Sequence, residues 1–131
     1  MKKSTTYLPL VVNIKLNMGI VLFLVSVVLF IPLTVLNFFC VLYKYKIKWE
    51  TINGFFKETA TDIDRFGNRN FRTLLNMTLQ NNGYEFGNIN ETISSALGKN
   101  KRDNTLTKTG LLLCYILDSL DENHCIKSIK E

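Results

Sequence analysis

From Met18 to Tyr43 the chain runs for 26 residues without a charged side chain, MGIVLFLVSVVLFIPLTVLNFFCVLY. A helix rises about 1.5 Å per residue, so roughly 20 apolar residues cross the ~30 Å hydrocarbon core of a bilayer. Water is absent there, and a helix satisfies its own backbone within one segment. The run is longer than a buried helix of a small globular core needs, and it predicts a transmembrane helix. Pro32 lies inside the run and predicts a kink, while Asn37 is its one strongly polar side chain. Tyr43, Tyr45 and Trp49 alternate with Lys44, Lys46 and Lys48, a pattern suited to the headgroup region. The apolar core exceeds the roughly 7–15 residues of a signal peptide, and no small-residue cleavage site follows, so the span is expected to be retained.

This segment changes the meaning of the net charge of +5. Residues 1–50 carry six lysines and one acid, whereas residues 51–131 carry ten bases and ten acids. The basic excess therefore flanks the span, and the remainder is neutral, which disfavours a nucleic-acid partner. Lys2, Lys3 and Lys15 precede the span and Lys44, Lys46, Lys48 and Lys57 follow it, a small bias towards a cytoplasmic C-terminal domain. Cys114 and Cys125 could pair in an oxidising compartment. The reading favoured with a cytoplasmic domain is one buried apolar cysteine and one free thiol.

The organisation expected is an N-terminal flank (1–17), a transmembrane helix (18–43), a juxtamembrane linker or helix extension (44–61) and a small helical domain (62–131). Within the domain, Asp62–Gln80 has helical spacing, with Thr61 or Asp62 as cap and Gly67 as a close-packing point or a break. Residues 80–87, QNNGYEFG, read as a loop. Asn88 and Glu91 have the spacing of a capping box, with Gly98 closing the helix that follows. The run Thr109–Leu120 places Leu113, Ile116, Leu117 and Leu120 on one face, widened by Leu112 and Tyr115, and is expected to be the most buried element. Asp121 can cap a last helix over 123–130. The fold class is mainly α, one N-terminal transmembrane helix followed by a small bundle of three or four short helices, with no substantial sheet.

Few residues carry chemistry. His124, Cys125, Cys114 and a nearby aspartate could be imagined around a metal, but their spacing matches no zinc pattern. Ser94 and Ser95 with His124 and Asp118 lack the strand–turn–helix geometry of an activated serine. Lys99, Lys101, Arg102 and Lys108 form the one local basic cluster of the domain and could meet phosphates of lipid or nucleic acid. No interleaved aromatics support base stacking. The chain is read as non-enzymatic, with no metal and no cofactor.

Phe66-Gly67-Asn68, Leu75-Asn76, Phe86-Gly87-Asn88, Glu91-Thr92-Ile93-Ser94-Ser95, Leu97-Gly98-Lys99, Leu117-Asp118, Asp121 and Asn123-His124-Cys125 occur in that order. The string resembles a group of small bacteriophage and prophage proteins with an ETISS-x-LG motif followed by a D-x-N-H-C motif, over about half the chain. Many of those have Asp-Pro-Asp-Glu where this chain has Asn88-Ile89-Asn90-Glu91, and Asp-Pro-Asn-His where it has Asp121-Glu122-Asn123-His124, so its helix starts must hold without that preorganisation. The resemblance implies a viral origin, hence a bacterial host's inner membrane, and a shared small fold. It implies no reaction.

The function expected is that of a phage-type single-pass membrane protein whose helical domain contacts another protein or a second copy of itself, with the bilayer as its other partner. Glu91, Ser94, Ser95, Gly98, His124 and Cys125 are the candidate contact or polar-network positions. One alternative is a holin-like lysis protein that permeabilises the membrane, with Ser26 and Asn37 at a helix–helix contact. Another is a lipid- or nucleic-acid-binding module built on Lys99–Lys108.

Overall fold

A computed structural model describes the backbone of residues 8–130 and the side chains from Met18 to Lys130. The flank expected over 1–17 lies outside the described side chains, although the first helix already includes the backbone from Leu8. The fold is mainly α. Among the described residues there are six helices and no strand, only an isolated bridge between Gln80 and Leu106. The chain divides into two compact units, residues 1–55 and 56–131.

The first unit is dominated by α1, Leu8–Tyr45, which carries Pro32 in its interior. Its stretch Met18–Tyr45 is long and apolar enough to cross a membrane, with mean hydropathy 2.8 and no buried residue. Proline offers no N–H to the carbonyl of Val28, yet the helix continues through it. Ser26 and Thr34 donate their hydroxyls back to the carbonyls of Leu22 and Phe30, which removes their polarity from the apolar surface. Lys46, in the left-handed region at φ 68°, ends the helix. The next helix, α2, then runs Trp49–Asn70. Its first turns fold back on the end of α1, with the rings of Phe38 and Phe55 5.0 Å apart.

Residues 49–61, within the expected linker, are thus helical, and helix formation does not wait for a cap at Thr61 or Asp62. Thr61 instead donates its hydroxyl to the carbonyl of Lys57, one turn back. Glu50 sits in the first turn, where a negative charge is favourable. Gly67 is buried but does not break the helix; a Cβ there would lie 3.2 Å from Ile93. The bend comes at Phe71, and the helical bonds Phe71 N–H to Gly67 and Leu75 N–H to Phe71 carry the chain through it into α3, Arg72–Thr78.

Beyond a long loop the second unit continues with α4 (Ile93–Arg102), α5 (Lys108–Leu120) and α6 (His124–Lys127). Thr92 caps α4 by accepting from Ser95 N–H, and Thr107 caps α5 by accepting from Gly110 N–H. The core gathers Leu75, Leu79, Phe86, Ala96, Leu97, Cys114 and Cys125, with Tyr84, Ile93, Leu106, Leu113 and Leu117 packed around it. Full burial of Leu97 stabilises by about 2–3 kcal/mol.

Three asparagines fix the loop between α3 and α4. Buried Asn68 donates to the carbonyls of Asn88 and Glu91 and accepts from Gly87 N–H. Asn76 pairs with both backbone groups of Phe86. Asn100 donates to the carbonyls of Tyr84 and Ala96 and accepts from the Thr105 hydroxyl. Gly87 has φ 124°, a conformation that side chains other than glycine's rarely tolerate. The polar sequence of this loop therefore encodes an ordered segment.

Two expectations are corrected. α5 is not the most buried element: only Gly110 and Cys114 are buried in it, while Leu112 is 59%, Tyr115 72% and Leu120 80% exposed. Leu113 and Leu117 do face the core, but among the described residues of this unit no further layer covers the other side. The Asn88–Glu91 capping box does not form either. The helix begins later, at Ile93, and Asn88 instead accepts from Asn90 N–H in a tight turn.

Candidate polar groove

The start of α4 is where the second unit collects its polar groups. Asp64, projecting from α2, accepts from Ile93 N–H at 3.0 Å and from the Ser94 hydroxyl at 2.9 Å. A carboxylate at a helix N-terminus is favoured because it meets N–H groups without intrahelical partners. The Ser95 hydroxyl accepts from Lys130 N–H at 2.9 Å, tying the C-terminal segment to the same helix. His124 holds Asp121 through Nδ1 at 3.1 Å. Between these segments lies a groove of about 530 Å³, lined by Lys57, Asp64 and Arg65 of α2, by Ser94 and Ser95 of α4, and by His124 and Lys130.

Three expected positions, Ser94, Ser95 and His124, thus meet at one groove. The hydrogen bonds of the serines go to Asp64 and Lys130, and that of the imidazole goes to Asp121. These bonds describe a polar network and not a nucleophile paired with its base. Asp121 is the C-terminal cap residue of α5 and does not cap α6 through its side chain. Its carboxyl is held below its ordinary range by the His124 hydrogen bond and by Lys127.

The other motif residues serve packing. Gly98 does not close α4, which continues to Arg102. A side chain at Gly98 would run into the carbonyl of Cys125, so glycine allows α4 and α6 to meet. Cys125 and Cys114 are joined as a disulfide between α5 and α6, against the reading of two separate thiols, and Cys40 is free. Asp118 lies against this pair, and the three potential ligand atoms fall within 4.8 Å of one another. That set does not suit a metal. The sulfurs bond each other, and both Asp118 oxygens are engaged, one by Cys125 N–H and the other by Lys101. Lys101 and the Cys125 amide hold the Asp118 carboxyl below its usual range.

The basic cluster of α4 is largely consumed inside the domain. Lys99 pairs with buried Glu91 and lies 4.2 Å over the ring of Tyr84. Burial works against its charge, but the hydrogen bonds to Glu91 and Tyr84 prevail and raise its pKa. Lys101 pairs with Asp118 and Arg102 with Asp103, which leaves Lys108, at the start of α5, as the cluster's exposed member without such a pair among those described. The cations that border the groove, Lys57, Arg65 and Lys130, are scattered in sequence, and no local pattern points to them. Comparison with known families, curated proteins and solved structures finds no match.

Proposed function

We propose that this chain is a membrane-anchored contact module of the phage type, with α1 in a bacterial host's inner membrane and the helical domain engaging another protein or a second copy. The observation that carries this reading is the outer face of α5, where Leu111, Leu112, Tyr115, Ile116 and Leu120 are between 47% and 80% exposed. Contiguous exposed apolar surface on a small domain marks an interaction site. The motif resemblance is the support for a viral origin. No reaction is proposed.

Two features pull the orientation in opposite directions. The lysines after the span outnumber those before it by four to three, which favours a cytoplasmic domain. The Cys114–Cys125 disulfide favours an oxidising compartment, because cytosolic thiols are kept reduced. An excess of one lysine is the weaker constraint, so the reading adopted places the helical domain outside the cytoplasm.

Cross-linking of the full-length chain in host membranes, followed by purification, tests the contact reading. Replacing Leu112 and Leu120 with serine should abolish the cross-linked species while the chain stays folded and membrane-bound. Retention of every cross-linked species by that variant would rule out the α5 face.

A lysis role is the second reading, favoured by the exposure of Asn37 within the apolar stretch. Polar side chains on membrane helices promote helix association. Rapid collapse of membrane potential on induced expression would support it over the contact module.

A further inference from the structure

We propose that the groove between α2, the start of α4 and the C-terminal segment binds a phosphate-bearing ligand. Three fixed cations border it, Lys57, Arg65 and Lys130, against one acid, Asp64. That acid is occupied on both oxygens by Ile93 N–H and the Ser94 hydroxyl, so it is turned into the fold and not offered to a cation. The lining residues sum to +2, and Asp62, paired with Arg65 from outside the lining, leaves a local balance of +1. Arg65 adds a specific detail. Its Nη1 reaches outward to Asp62 at 3.3 Å, while its Nε is buried with no hydrogen-bond partner. The side chain as a whole is 42% exposed, so an oxyanion in the groove approaches the guanidinium from its solvent side, where a charge-assisted hydrogen bond is favourable.

The chemistry points to phosphate over carboxylate. The cations come from two separate chain segments, and the lining also includes the imidazole of His124 and the hydroxyls of Thr61, Thr92, Ser94, Ser95 and Ser128. A planar carboxylate is matched by one bidentate fork, whereas a tetrahedral phosphate presents several oxygens to donors arriving from different sides. A volume of about 530 Å³ suits a headgroup or a small phosphoester. The source can be a free phosphate compound or the headgroup of an anionic lipid. This site is separate from the α5 face and does not depend on the contact reading.

His124 is the only histidine of the chain, so its imidazole resonances report on the groove without ambiguity. The full-length protein in zwitterionic micelles is titrated with inorganic phosphate, with acetate, and with chloride at matched ionic strength. In parallel it is placed in nanodiscs of phosphatidylcholine with and without phosphatidic acid. The expected result is a saturable shift with phosphate, with phosphatidic acid, or with both, and the responding arm names the source. The double variant Lys57→Ala/Lys130→Ala should weaken that response about tenfold or more, through loss of two charge-assisted contacts. Lys108→Ala, which removes a base outside the groove, should leave it unchanged. Three results would each overturn the proposal: no saturable shift in either arm, an equal shift with acetate, or an undiminished response in the double variant.

Discussion

The carboxylate of Asp118 and the backbone amide of Cys125 are joined by a hydrogen bond of 3.0 Å, which fastens a four-residue helix to the end of α5. Lys101 holds the other carboxylate oxygen. Because these partners favour the charged form, the folded pKa lies below the ordinary value of 3.8. A depressed carboxylate contributes stability that is fully present above the unfolded pKa and lost as pH falls through the folded one. Thermal unfolding of the full chain in micelles should show Asp118→Asn less stable by about 1 kcal/mol near neutrality. The difference should close as pH drops below 3.8; a constant gap down to strongly acidic pH would contradict the assignment.

Asn68 supports three backbone groups of the loop at once. Asn68→Ala leaves those buried groups without their partner and should cost about 3 kcal/mol. Asn70→Ala removes an exposed side chain bonded only to the carbonyl of Phe66, so its melting temperature should stay within a degree or two of the parent's. Similar losses in the two variants would deny Asn68 its role.

At Gly98 two effects oppose each other. Alanine gains about 1 kcal/mol of helix propensity over glycine. The new methyl, however, meets the carbonyl of Cys125, which is backbone and cannot rotate aside. Overpacking of this kind costs about 1–3 kcal/mol, so Gly98→Ala should be net destabilising. A raised melting temperature would mean that α4 and α6 do not touch there.

The disulfide gives a count. Intact-mass measurement of the denatured, unreduced chain after alkylation should find one modified thiol, at Cys40, and three after reduction. Cys125→Ala removes a cross-link with a sequence separation of 11 and should cost about 3 kcal/mol in the chain-entropy account. Three thiols alkylated without reduction would place the domain in a reducing compartment and reverse the orientation proposed above.

On α5 a contrast separates core from surface. Leu112→Ser and Leu120→Ser alter exposed side chains and should change stability by less than about 0.5 kcal/mol. Leu97→Ala, in the centre of the core, should cost about 2–5 kcal/mol. Comparable losses at both places would mean that the α5 face is covered within the single chain.

The long apolar helix was legible from sequence because it depends on length and on the absence of charge, both local properties. The extent of α4 and the lysines of its last turns were less so, since Glu91 satisfies the spacing of a capping box whether it reaches back to Asn88 or forward to Lys99. Local pattern carries no information on that choice. The burial of α5 was misjudged for a related reason: apolar width on a helix states what could be covered, not whether enough chain remains to cover it. Asn68 and Asn76 read only as polar positions of a helix, and Asn100 as part of a polar stretch, yet they hold the loop through partners that are 10 to 23 residues distant or lie across a turn. Ser94, Ser95 and His124 could be singled out by motif, but their meeting with Lys57 and Arg65 depends on how α2 packs against α4.

Lys130 N–H, bonded to Ser95, closes the groove from the segment that follows α6. A four-residue helix has no independent stability, so this wall persists only while α6 is docked. Occupancy and docking are then thermodynamically linked: whatever fills the groove is paid back as resistance of the C-terminal segment to detachment. Amide exchange at Ile126–Lys130 would become a meter of ligand concentration around the domain.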